Sequence, residues 1–173
     1  MSETGIGVAI KRVEDLRFLT GNGHYTDDIN QPGQSHAWIL RSPHAHAKLN
    51  AVDTTKAESA PGVIAIFTGV DMAADGVGGL PCGWQIHNKD GSPMAEPGHP
   101  PLAVDKVRHV GDQIAIVIAE TRDQARDAAE LISVDYGILD AAINMDAALA
   151  GTTLVHDDVP NNRCFDWEIG DKD

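Results

Sequence analysis

The chain has 173 residues, enough for one domain with a hydrophobic core of its own, and its 42% hydrophobic and 23% charged content excludes disordered and collagen-like classes. Thirteen Lys and Arg against 26 Asp and Glu leave a formal charge of −13, which repels phosphate backbones and anionic lipid and speaks against nucleic-acid or membrane-surface partners. The longest apolar run, IAIVIA at 114–119, is far short of the roughly 20 residues that span a bilayer.

The first twelve residues, MSETGIGVAIKR, lack the basic, apolar and small-residue regions of a secretory signal. Cys82 and Cys164 form no C-x-x-C, so a cytoplasmic protein with two reduced thiols is expected. Along the chain, residues 17–28 (RFLTGNGHYTDD) read as a polar loop, and the Pro and Gly of 31–34 (QPGQ) as a turn. Residues 35–41 (SHAWILR) and 45–52 read as strands. Residues 53–60 predict a short helix closed by Pro61 and Gly62. The apolar run 63–67 (VIAIF) predicts a strand buried on both faces.

After a second short helix at 70–74 comes an irregular stretch, 75–101, with six glycines and four prolines before Pro101. A loop of that length in a compact domain usually packs on another domain or serves a site. Residues 107–119 read as strand, Gly111-Asp112 turn, strand. Thr121 and Gln124 form a T-x-x-Q capping pair, and Ala125, Ala128, Ala129 and Ile132 then fall on one helical face. A strand at 133–136 completes a strand–helix–strand unit, and 144–150 predicts a last helical turn capped by Asn144 or Asp146. The tail from Gly151 has little periodicity. Mixed strands and short helices make the class α+β.

The chemical candidates are sparse. His44 and His46, in RSPHAHAK at 41–48, would share a face if extended, but zinc needs further ligands placed by the fold. His24, His36, Asp27 and Asp28 stand at no recognised metal spacing, so packing is the default for the pair. Cys82, in Pro81-Cys82-Gly83-Trp84, lacks the downstream His and Asn of a papain-like nucleophile. Gly5-Ile6-Gly7 and Gly21-Asn22-Gly23 lack the third glycine and the βαβ setting of a dinucleotide fingerprint. Asp27-Asp28 and Asp157-Asp158 sit in loops, where solvated turns are the default. No complete active site emerges.

Several stretches resemble one family in order. Residues 11–21 (KRVEDLRFLTG) with Gly23, Tyr25 and Asp27-Asp28 are similar to the start of the molybdenum-binding large subunit of molybdenum hydroxylases, the family of xanthine dehydrogenase, aldehyde oxidase and aerobic carbon monoxide dehydrogenase. RSPHAHA at 41–47 resembles the next landmark, PCGW, KDGSPM and HPPL within 81–102 resemble the carbon monoxide dehydrogenase-type branch, and 107–136 resembles the family's strand–helix–strand signature. YGILD at 136–140 departs from the usual Tyr-Glu-Pro-Leu-Pro, which leaves the strand exit without its two prolines.

The resemblance implies an α/β-hammerhead domain over residues 1–150 and a linker over 151–173 towards molybdopterin-binding lobes. It implies a structural and docking role, with no catalytic, metal or cofactor ligand carried over to any residue of this chain. Candidate domain-interface residues are Arg41, His44, His46, Cys82 and Trp84. For the complete enzyme it implies a molybdopterin cytosine dinucleotide-type cofactor, the remaining lobes, and partner subunits carrying iron–sulfur clusters and FAD. The rival readings are a stand-alone binding or assembly module and a small His-based metalloenzyme.

Overall fold

The structure, a computed structural model, describes residues 5–171. The first four residues of the amino-terminal segment and the last two of the tail, Lys172 and Asp173, lie outside it. The chain divides into two compact units at the Gln34–Ser35 junction.

In the first unit the polar loop contains a short helix, α1 (Asp15–Leu19), and a 3-10 turn at Thr26–Asp28. What orders the stretch is aromatic. Phe18 stacks on Tyr25 with ring centroids 5.5 Å apart, and the Arg17 guanidinium lies 5.0 Å from the Phe18 ring centre. A Cβ at Gly23 would stand 2.4 Å from the Phe18 ring, so glycine is required there. Gln31 and Gln34 close the expected turn, with Gly33 at φ +78.

The second unit holds two three-stranded antiparallel sheets. β1 (His36–Arg41), β3 (Val63–Thr68) and β5 (Gln113–Ala119) form one, with β5 in the centre. β2 (Ala47–Asp53), β4 (Lys106–Val107) and β6 (Ser133–Ile138) form the other around β2. The helices α2 (Thr55–Glu58), α3 (Gly69–Ala74), α4 (Arg122–Ala129) and α5 (Met145–Leu149) are all short.

The scarcity of aromatics shapes the core. α4 turns Ala125, Ala128 and Ala129 onto Ala115, Val117 and Ala119 of β5, so helix and sheet meet through small side chains with Ile132 and Ala57 at the edge. Thr121 caps the helix as expected, its hydroxyl oxygen accepting the Gln124 N–H at 3.2 Å. On the other face of β5, Ile114 packs with Ala47, Ala103 and Val107. Leu40, Val52 and Val134 touch both clusters and make them continuous.

Two strand expectations are corrected. β3 is an edge strand, with Ile64 59% exposed, so it is not buried on both faces; the central strand is β5. Of the strand expected at 107–110 only Val107 is extended, as part of β4, which pairs with β2. Likewise β5 and β6, the two strands of the strand–helix–strand unit, enter different sheets. Pairing is set by where the Gly111-Asp112 turn finds its hydrogen bonds, and those lie on Ser42.

Ile114 is fully buried in the smaller cluster. Ile114→Ala is expected to lower stability by about 2–5 kcal/mol, read as a lower urea midpoint at unchanged m.

Candidate functional site

RSPHAHA forms a corner between the two sheets. β1 ends at Arg41 and β2 starts at Ala47, so His44 and His46 precede the strand in which they were expected. The Arg41 guanidinium donates to the Gly111 carbonyl at 2.9 Å. The Ser42 N–H donates to the Asp112 carbonyl, and the Gly111 N–H to the Ser42 carbonyl, both at 2.8 Å. The Ser42 hydroxyl accepts the His44 N–H at 3.0 Å.

The two rings point to different neighbours. His44 meets Tyr136 edge-on, centroids 4.6 Å apart. Burial raises the Tyr136 phenol above its ordinary value, with Ser42 hydrogen bonding acting the other way. His46 is 6% exposed, and its Nδ1–H donates to the Asp140 carbonyl at 2.7 Å. The Leu139 N–H donates to the His46 carbonyl at 3.0 Å. The exit from β6 therefore gets from His46 the fixing that prolines would otherwise give it. His46 Nε2 is buried with no hydrogen-bond partner among the described residues.

Cys82 and Trp84 lie on the 75–101 loop. That loop folds back through a His87–Pro93 bridge and is joined by the tail. The Ala95 N–H donates to the Cys164 carbonyl (2.7 Å), Lys89 N–H to Asp166 carbonyl (2.9 Å), and Asp166 N–H to Asn88 Oδ1 (2.7 Å). Lys89 Nζ adds an ion pair to Asp166 at 3.1 Å. The Cys82 thiol is partly buried and donates to the Trp84 carbonyl. Trp84, 73% exposed, meets Trp167 edge-on and forms with Ile86, Met94, Phe165 and Trp167 an apolar hollow of about 240 Å3.

A second join holds the tail to β4, at a sequence separation that no motif signals. Lys106, buried in β4, donates through Nζ to both oxygens of Asp157 at 3.1 and 3.0 Å. Asp157 is thus no idle turn residue: the Lys106 hydrogen bond, then its charge, holds the carboxyl below the usual carboxylate range. His156 lies beside them and is held below the ordinary imidazole value, first by burial and next by the Arg108 charge, with Lys106 adding to it. The basic run Lys106-Val107-Arg108-His109 in so acidic a chain was the available signal. Among the described residues no three His, Cys, Asp or Glu form a group able to hold a metal.

Residues 20–140 match the aldehyde oxidase and xanthine dehydrogenase a/b hammerhead domain. The chain is 34% identical to the carbon monoxide dehydrogenase large chain of Afipia carboxidovorans, over 98% of this chain and 21% of that one. It is also 34% identical to the nicotine 6-hydroxylase large subunit of Paenarthrobacter nicotinovorans, over 91% and 18%. Quinoline 2-oxidoreductase from Pseudomonas putida 86 superposes with a TM-score of 0.72 at 37% identity, covering 89% of this chain and 19% of that one. The chain spans about a fifth of the length of these relatives.

The join to the tail should respond to acid. His156 binds protons more readily free than docked, so its contribution is complete above its ordinary value of 6.5 and declines as pH falls below that. The Asp157 contribution is lost later, as pH falls below its ordinary 3.8 and through the lowered folded value. Amide exchange over residues 155–166, corrected for intrinsic rates, is expected to speed up between about pH 7.5 and pH 5.5, with His156→Gln flattening the change.

Proposed function

This chain belongs to the aldehyde oxidase and xanthine dehydrogenase a/b hammerhead family, and from that we propose that it serves as the hammerhead part of a molybdenum hydroxylase large subunit, giving structure and a docking face to the lobes that carry the chemistry. The observation that carries this reading is the apolar hollow of Trp84, Ile86, Met94, Phe165 and Trp167. The chain holds only three tryptophans, and two of them are spent on this surface. Large exposed apolar groups mark contact surfaces in proteins of this kind. Ile10, Val13, Leu16 and Leu19 of the amino-terminal unit are exposed as well.

In this reading residues 1–150 are the hammerhead domain and 151–173 lead towards the molybdopterin-binding lobes. Cys82 and Trp84 belong to the docking face. Arg41, His44 and His46 form the joint between the two sheets. The other partners are subunits bearing iron–sulfur clusters and FAD, and the setting is the cytoplasm. A molybdopterin cytosine dinucleotide-type cofactor, bound by the lobes, supplies substrate hydroxylation in the complete enzyme. This chain's own residues contribute no ligand and no proton transfer; they hold a wall against which the lobes pack.

Two measurements test it. The purified chain is expected to show no turnover of an aldehyde or a purine with an artificial dye acceptor, and measurable turnover would overturn the reading. Sequencing the DNA past codon 173 is expected to find the lobes encoded in frame or in a neighbouring gene; their absence would favour the stand-alone assembly module.

A further inference from the structure

The segment that completes the apolar hollow starts from a strained turn. In the 3-10 turn at Pro160–Asn162, Asn161 stands at φ 56, ψ 22 and Asn162 at φ 52. Asparagine visits this left-handed region singly, but two in succession persist only where their surroundings hold them. Here the holding falls to one side chain. The Asn162 amide donates to the Thr153 carbonyl at 2.7 Å and the Ala148 carbonyl at 3.0 Å, and its Oδ1 accepts the Val155 N–H at 2.7 Å.

Beyond the turn, residues 163–168 cross the 75–101 loop. They are fastened there through the N–H groups of Ala95, Lys89 and Asp166, the first two donating to the segment's carbonyls and the third to Asn88 Oδ1. Lys89 Nζ adds ion pairs to Asp166 at 3.1 Å and Glu168 at 3.5 Å, between half-exposed side chains. No residue of the segment is fully buried, so the seam is held by hydrogen bonds and surface charge with little apolar burial. Segments held in this way open more readily than the sheets beneath them. The hollow has its walls on both sides of the seam, Trp84, Ile86 and Met94 on the loop and Phe165 and Trp167 on the segment. Opening the seam therefore separates Trp84 from Trp167 and leaves the hollow without its second wall.

We propose that residues 163–168 form a strap, hinged at Asn161 and Asn162, whose closing on the 75–101 loop assembles the hollow and whose opening dismantles it. A hinge of this kind is a few residues at the end of an element that absorb a backbone change. Relaxation of the two left-handed residues favours opening; the seam and the paired indoles favour closing. The apolar surface is then conditional, offered only in the closed state. That this regulates docking rests on the reading of the hollow as a docking face, whereas the motion of the strap does not.

The test is amide exchange of the 173-residue chain followed by NMR, residue by residue and corrected for intrinsic rates. A single opening event gives the Ala95, Lys89 and Asp166 amides one common protection factor. The Asn88 and Met94 amides, bonded within the loop to the Ser92 and Ile86 carbonyls, are expected to stay more strongly protected. Asn162→Ala should speed exchange at the first three about tenfold and leave the other two unchanged. It should also weaken the exciton circular dichroism of the Trp84–Trp167 pair, identified by its loss in Trp84→Phe. Unrelated protection at the three amides, or no change in Asn162→Ala, would overturn the strap. If Asn162→Ala does not fold, Trp167→Ala, at an exposed position, gives the same decision. Faster exchange at Ala95 and Lys89 then supports coupled closure, and unchanged exchange rejects it. No partner enters these readouts, so a failed strap leaves the docking reading standing, and turnover by the purified chain leaves the strap standing.

Discussion

The fold depends on one corner. Between Arg41 and Ala47 the chain must leave one sheet and enter the other without stranding buried backbone groups. It does so by borrowing the Gly111-Asp112 turn, which trades hydrogen bonds with Ser42 and takes the Arg41 guanidinium on the Gly111 carbonyl. That exchange has two consequences. It fixes the start of β5 beside the end of β1, and it separates β5 from β4. β4 is then free to pair with β2, and the two sheets share Leu40, Val52 and Val134.

The second organising feature is the union of two irregular segments. The 75–101 loop and the tail are each poor in regular structure, yet they exchange backbone hydrogen bonds at Lys89, Ala95, Cys164 and Asp166. Together they raise the Trp84–Trp167 contact to the surface. The Lys106–Asp157 pair anchors the same tail to β4, an edge strand of the β2 sheet. Removing Asp157 matters more than the pair's modest net strength suggests, because Lys106 would stay buried without its counter-charge. A surface built this way is specific in shape, since both walls are held by long-range contacts. This is what a docking face needs, and what a flexible linker would lack.

The family gives this architecture its meaning. A chain about a fifth as long as its relatives carries two three-stranded sheets and a face of exposed aromatics.

The sequence by itself determined the local elements. Thr121 with Gln124 and the face of Ala125, Ala128 and Ala129 specify α4, because capping and helical period act within a few residues, although the expected face ran on to Ile132, beyond the helix end. Gly33 and Gly62, both at positive φ, likewise mark turns that the sequence placed. The motif order was legible too, and with it the family. Only the tertiary structure decided the rest. His44 and His46 look like strand neighbours on one face, but a bend sends one ring to Tyr136 and the other inward to the Asp140 carbonyl. Periodicity marked VIAIF as apolar without saying that its strand would stand at an edge. Lys106 meets Asp157 across 51 residues. Such contacts have no period and no fixed spacing. They are chosen by which segments pack together, a property of the folded chain as a whole.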